Sequence, residues 1–217
     1  MGIEREAQVV ELTEQQFAIL DLCIAMPKFS ILGSAGCGKT YIAIEQARRR
    51  AVAGDRVLFL CYNYGLSEYI RRRFEGFEQV EQLTIGTLHS LGNKLGMQGE
   101  RGTGDGYWDS VLPDQLVEHL KNMPDELKYD TVVIDEAQDF HADWWRVVIG
   151  ALKDEEKGRI YAFGDIRQGI FRQATDIPLQ QAKLHLDKNL RNALPIAQLA
   201  ALCVEEPLDL IGLDGPP

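Results

Sequence analysis

The sequence lacks paired cysteines, long apolar runs and an excess of positive charge. None of its four cysteines belongs to a Cys-x-x-Cys pair, so it indicates neither a zinc site nor a disulfide framework. No apolar run approaches about 18 residues, so we expect no membrane contact. Residues 1–6 are charged and lack the apolar core of a signal peptide, which fits a cytoplasmic protein. The net charge of −10 argues against a wholly basic nucleic-acid binder but leaves a local basic groove open.

What is present is enough apolar sequence for a sizeable core. The chain has 217 residues, of which 45% are hydrophobic, as expected for a globular protein with one large or two small domains. Short apolar runs predict strands at 29–32, 56–62, 82–85, 131–134, 159–163 and 184–186. Helical patterns separate most of them, at 41–53, 66–74, 107–122 and 142–152. This alternation predicts an α/β fold, with a mostly parallel sheet and helices on both faces.

The stretch between the first strand and the following helix matches the phosphate-binding pattern GxxxxGKT. Its glycines let the backbone wrap around a polyphosphate, and the helix that follows points its dipole at the charge. We expect Lys39 to reach the β- and γ-phosphates of ATP, and the Thr40 hydroxyl to bind Mg²⁺. The predicted phosphate contacts are Gly33, Ser34, Ala35, Gly36, Cys37, Gly38, Lys39 and Thr40.

Two carboxylates follow the fourth predicted strand. Acidic residues often end strands, but Asp135 and Glu136 stand where ligands bind in open parallel sheets, in a chain that also carries the glycine loop. We therefore predict that Asp135 holds Mg²⁺ against Thr40, directly or through water. Glu136 is predicted to polarise the water that attacks the γ-phosphate.

Two glutamines are further candidates for the nucleotide site. Residues 12–22 begin a helix whose apolar positions include Phe17, Leu20 and Ile24. On this helix, Gln16 can donate to and accept from an adenine edge, although a glutamine at such a position, taken alone, is more often a solvated helix residue. Gln168 follows the fifth strand, where a glutamine can sense the γ-phosphate.

Together these motifs resemble superfamily 1 helicases of the UvrD/Rep type, over most of the chain. The most specific element is VIDEAQDF, which is similar to the DEAQD box of that family. The family motifs are also resembled by LTEQQ, GSAGCGKT, LCYNYGLSEY (in a short-insertion, CYN variant), TLHSL, GDIRQGIF and LDKNLRN. The resemblance implies a RecA-like motor domain that hydrolyses Mg-ATP and moves on single-stranded DNA.

The resemblance also implies roles for individual residues. It makes Gln16 the reader of adenine, Gln168 the γ-phosphate sensor and Arg191 a second group near the γ-phosphate. By the same resemblance, the DNA strand would run over Tyr62, Asn63, Thr87, His89 and Phe171.

The chain departs from this family in length. Nothing in it is long enough for the second RecA-like domain, which we expect in cis or in trans. We predict a motor domain at 1–204, with a reduced insertion at about 93–130, and a linker or tail at 205–217. Such a chain should bind ATP but turn it over slowly, because the arginine finger of the second domain contributes roughly 10³–10⁵ in rate. An ATP-dependent switch acting on a protein partner is the alternative, while the DEAQD box disfavours a small-molecule kinase.

Overall fold

The computed structural model describes residues 14–97, 107–165, 183–186, 188–193 and 211–213. Its α-helices within these ranges are α1 (Glu14–Ala25), α2 (Lys39–Val52), α3 (Tyr64–Arg73), α4 (Leu88–Lys94), α5 (Leu112–Asn122) and α6 (Ala142–Gly150). Its strands are β1 (Lys28–Gly33), β2 (Val57–Cys61), β3 (Leu83–Gly86), β4 (Thr131–Asp135), β5 (Arg159–Gly164), β6 (Lys183–Leu186), β7 (Lys188–Ala193) and β8 (Ile211–Leu213).

A parallel sheet organises the described residues. Its strand order is β3-β2-β4-β5-β1-β6, and every neighbouring pair is parallel. All five residues of β2 and all five of β4 are buried, as expected for strands covered on both faces. The predicted α/β fold with a parallel sheet is therefore confirmed.

Helices cover the two faces of the sheet in chain order. One apolar core joins α1, α2 and α3 to residues such as Phe59, Val133 and Tyr161. The other core joins α4, α5 and α6 to residues such as Leu60 and Ile134. Because the side chains of a strand alternate between faces, successive residues of β4 belong to different cores. The helices on both faces were also predicted correctly.

Helix α1 forms as predicted, but its inward face differs from the predicted one. Leu20 is buried, whereas Phe17 is 47% exposed and Ile24 is 70% exposed. Gln16 and Cys23 are buried in their place. The inward face is formed by Ile19, Leu20 and Cys23, which pack into the core at helical spacing, and Gln16 lies on the same face, where its amide contacts the glycine loop.

Two predicted segments are divided more finely in the structure. The predicted helix at 107–122 consists of an irregular turn, Tyr107–Val111, followed by α5 with a proline in its first turn. Strand β8 lies within the stretch predicted as a linker or tail and pairs with β7. The predicted domain limits stay predictions. Among the helices that the structure describes, none has the length and apolar character needed to cross a bilayer.

Candidate functional site

The glycine loop lies at the carboxyl edge of the sheet, between β1 and α2. Gly36 has φ 86° and Gly38 has φ 90°, a left-handed conformation that side chains with a Cβ rarely adopt. Gly38 is the N-cap residue of α2, and neither a capping side chain nor an acidic residue occupies that helix start. The first N–H groups of α2 and its positive dipole end therefore point to an anion, as the sequence predicted.

The Lys39 ammonium is held by the loop itself. Its Nζ donates to the carbonyl oxygens of Gly33 at 2.7 Å and Ser34 at 3.0 Å, and the residue is only 7% exposed. These bonds place a positive charge inside the curve of the loop. The predicted phosphate contact of Lys39 fits this position, although the contact itself stays a prediction.

Gln16 lies beside the same loop. Its Nε2 donates to the carbonyl oxygen of Cys37 at 3.3 Å, and its side chain is buried. The structure thus brings this glutamine of α1 to the loop, which a solvated helix position would not do. Its predicted reading of adenine remains a prediction.

Asp135 is fully buried at the end of β4, facing the start of α2. Its Oδ1 accepts from the backbone N–H of Glu136 at 3.1 Å. Its Oδ2 is buried and makes no hydrogen bond with a described residue. The hydroxyl of Thr40 is near enough to favour the charged carboxylate, and Lys39 acts in the same direction from farther away.

Burial nevertheless raises the pKa of Asp135 to about 6, and the neighbouring charge of Glu136 adds to this rise. A buried carboxylate oxygen without a partner costs free energy unless a cation or a donor binds it. The buried carboxylate of Asp135, with one oxygen left unpartnered and the Thr40 hydroxyl nearby, therefore fits Mg²⁺, which prefers one or two protein oxygens together with substrate phosphates and water.

Glu136 has an unusual backbone conformation. With φ 56° and ψ 46°, it is the one non-glycine residue of the described chain with a positive φ. Such a conformation costs of order 1–3 kcal/mol and persists where the surroundings hold it. A short 3₁₀ turn, Ala137–Asp139, follows immediately. The Glu136 side chain is half-buried and follows Asp135 directly at the end of β4.

Gln138 is a residue of the site that the sequence reasoning missed. Its Nε2 donates to Glu136 Oε2 at 2.7 Å, and its Oε1 accepts from the backbone N–H of Asp165 at 3.0 Å. No periodicity or spacing signals such a bridge, because Asp165 is 27 residues away in the chain. Only its place inside the DEAQD box could have indicated it.

The described residues that were predicted to contact the DNA strand lie at the same edge of the sheet, after β2 and β3. Asn63 is exposed, and its Oδ1 caps α3 by accepting from the N–H of Leu66 at 2.8 Å. Thr87 is 6% exposed and caps α4, with its hydroxyl accepting from the N–H of Ser90 at 3.1 Å. The Thr87 hydroxyl therefore shapes α4 in the described structure, and its predicted DNA contact stays a prediction.

Tyr62 and His89 meet on one buried side chain, Trp144 of α6. The ring of Tyr62 stacks on Trp144 with 6.0 Å between centroids, and His89 meets it edge-on at 5.6 Å. Trp144 is 2% exposed and therefore belongs to the core. Through Trp144, two residues that were predicted to contact DNA, Tyr62 and His89, touch α6, the helix that follows the DEAQD box.

The remaining predicted residues are described in part or not at all. Arg191 lies in β7, and its contact with the γ-phosphate stays a prediction. Gln168 and Phe171 lie outside the described residues.

The glycine loop, the buried carboxylate facing it and the parallel sheet between them define a P-loop nucleoside triphosphatase domain. The sequence agrees with this class, since residues 15–173 match the family described as AAA domain. That match covers well over half of the chain, and the chain belongs to this family. No protein of curated function matches the sequence.

Solved structures of helicases share the fold. The Pif1 helicase from Candida albicans has a TM-score of 0.51 and 17% identity, over 82% of this chain and 40% of that chain. Bacteroides Pif1, solved bound to ssDNA, has a TM-score of 0.50 and 16% identity, over 89% of this chain and 45% of that chain. At these identities the likeness is one of fold. The chain spans less than half the length of either protein.

Proposed function

We propose that this chain is the ATP-binding half of a superfamily 1 DNA helicase or translocase of the UvrD/Rep type. The observation that carries the proposal is the fully buried carboxylate of Asp135, whose Oδ2 has no partner among the described residues and whose charged form the Thr40 hydroxyl favours. A carboxylate is kept in so unfavourable a place when a cation completes it. The helicase fold and the DEAQD box favour a motor over other P-loop enzymes.

Each group of the site has a task in this proposal. The N–H groups at the start of α2 and the Lys39 ammonium bind the phosphates of ATP, for which Lys39 leaves its two carbonyl partners. Thr40 and Asp135 hold Mg²⁺, which neutralises charge on the phosphates when it is bound. Glu136 accepts a proton from the water that attacks the γ-phosphate. Gln168 and Arg191 respond to the presence of that phosphate.

We propose that the DNA strand runs along the carboxyl edge of the sheet, over Tyr62, Asn63, Thr87 and His89. Phe171 is a further proposed contact. Aromatic rings offer stacking faces for bases, and cations bind the phosphates between them. A groove of about 320 Å³ beside Thr87 has the cations Arg71 and Lys94 in its lining, although the Arg71 guanidinium is also paired with the Glu68 carboxylate. The helicase fold that the chain shares with Bacteroides Pif1, which was solved with ssDNA, supports the same partner.

Steady-state ATP turnover of this chain, with and without single-stranded DNA, tests the proposal. We expect slow turnover that DNA stimulates and that Glu136→Gln abolishes. Lys39→Ala should lose affinity for a fluorescent ATP analogue, because it removes the one ammonium in the loop. Unchanged affinity in that variant would contradict the phosphate site. Binding without turnover or DNA response, in this chain and also when a second RecA-like domain is supplied, would favour the switch instead.

A further inference from the structure

Gln138 connects the end of β4 to the end of β5 through its side-chain amide. One end of the amide donates to the Glu136 carboxylate, and the other end accepts from the Asp165 backbone. Gln138 is 7% exposed and Asp165 is 3% exposed, so water competes little for the bond between them, whereas the bond to the half-buried Glu136 is partly shielded. The two strands are neighbours in the sheet, and Gln138 joins their ends just beyond the last paired residues, Ile134 and Ala162.

The orientation of this amide is fixed by its partners. A backbone N–H can only donate, so it must face the amide oxygen of Gln138. An ionised carboxylate can only accept, so it must face the amide nitrogen. A glutamate at this position could keep the bond to Asp165 but could not donate to Glu136 when ionised. A methionine of similar length would lose both bonds.

We propose that Gln138 is a positioning residue that clamps the Glu136 carboxylate to the backbone at Asp165. The inference rests on the proposed role of Glu136 as the group that accepts a proton from water. Asp165 begins the segment that carries Gln168, so the clamp makes the water-activating carboxylate and the start of that segment move as one unit. The left-handed backbone of Glu136 makes the clamp more important, because a strained residue keeps its geometry only when neighbouring residues hold it.

A single-turnover assay with excess protein over radiolabelled ATP tests the clamp through chemistry. We expect Gln138→Met and Gln138→Glu each to slow hydrolysis about 10–100-fold, since a misplacement of about 1 Å can cost that much. Affinity for Mg-ATP should stay within about threefold, because neither variant touches the loop. In a Glu136→Gln background, adding Gln138→Met should slow the residual reaction by less than about twofold. Full additivity, or hydrolysis at the wild-type rate in either variant, would overturn the inference.

Amide hydrogen exchange at Asp165, measured by NMR, tests the clamp without any need for turnover. Exchange should accelerate at least about tenfold in Gln138→Met, which removes the acceptor of this N–H, and should stay near the wild-type rate in Gln138→Glu, which keeps it. Equal exchange in wild type and Gln138→Met would refute the clamp. Absence of Glu136-dependent hydrolysis, in this chain and also after a second RecA-like domain is supplied, would instead refute the proposed function, and the exchange measurement would still decide whether the bridge to Asp165 exists.

Discussion

Replacing Asp135 by asparagine should stabilise the nucleotide-free protein while it destroys the proposed metal site. Burial raises the pKa of Asp135 from 3.8 to about 6, against the opposing effect of the Thr40 hydroxyl. A rise of this size corresponds to about 3 kcal/mol, which the folded state loses by carrying the carboxylate in its ionised form. Asparagine has nearly the same shape and no charge. Its amide oxygen can still accept from the Glu136 N–H, and its NH₂ can donate to Thr40.

The stability difference should depend on pH in a defined direction. The folded state binds the Asp135 proton more tightly than the unfolded chain does, so the wild type gains stability relative to the variant as the pH falls. At about pH 7.5 the full difference of about 3 kcal/mol should favour Asp135→Asn. At about pH 5 roughly half of it should remain, because the carboxyl is then mostly protonated in the folded protein.

Urea unfolding in the presence of EDTA at these two pH values measures the difference. Asp21→Asn is the matched control, since it removes the same charge from a side chain that is 74% exposed, and its effect should stay within about 1 kcal/mol. Replacing the EDTA by Mg-ATP should then raise the unfolding midpoint of the wild type more than that of Asp135→Asn. An Asp135→Asn variant that is less stable than the wild type at neutral pH would refute the reasoning, and so would a stability difference that does not change with pH.

Two further substitutions test the packing around the site. A Cβ on Gly33 would lie 2.6 Å from Cys37 Sγ and 3.0 Å from the backbone oxygen of Leu186. Gly33→Ala should therefore lower the free energy of unfolding, measured in urea, by about 1–3 kcal/mol. An unchanged unfolding midpoint would contradict this close approach. Trp144→Phe keeps an apolar ring but shrinks the surface on which Tyr62 stacks at 6.0 Å, so affinity for a labelled single-stranded oligonucleotide should fall about 3–10-fold. Mg-ATP affinity should not change in this variant, and an equal loss of both would assign Trp144 to general stability instead.

Much of the fold follows from short-range patterns in the sequence. Strand β2 is a continuous apolar run and β4 has three consecutive apolar residues at its centre, as expected for strands covered on both faces, and the structure buries all residues of both strands. The glycine loop is equally readable, because Gly36 and Gly38 stand where the backbone must be left-handed. Such features depend on neighbouring residues alone and can therefore be predicted.

The parts that escaped prediction depend on contacts between distant segments. The burial of Gln16 depends on its bond to Cys37, 21 residues away in the chain, which no local pattern indicates. The bridge from Gln138 to Asp165 exists only because β4 and β5 are paired. Asn63 and Thr87 cap α3 and α4. These caps were not predicted, because the family resemblance suggested DNA contacts for the same two residues.

The two carbonyl oxygens that hold Lys39 make phosphate binding an exchange of partners. A phosphate entering the loop receives an ammonium that gives up bonds of 2.7 and 3.0 Å to Gly33 and Ser34. The heat released on binding should therefore be smaller than the number of new contacts implies, because each bond that Lys39 makes to the phosphate replaces one that it already made to the loop. The same carbonyls recapture the ammonium when product leaves. Release then never exposes a bare charge in the buried loop, which lowers the barrier to emptying the site.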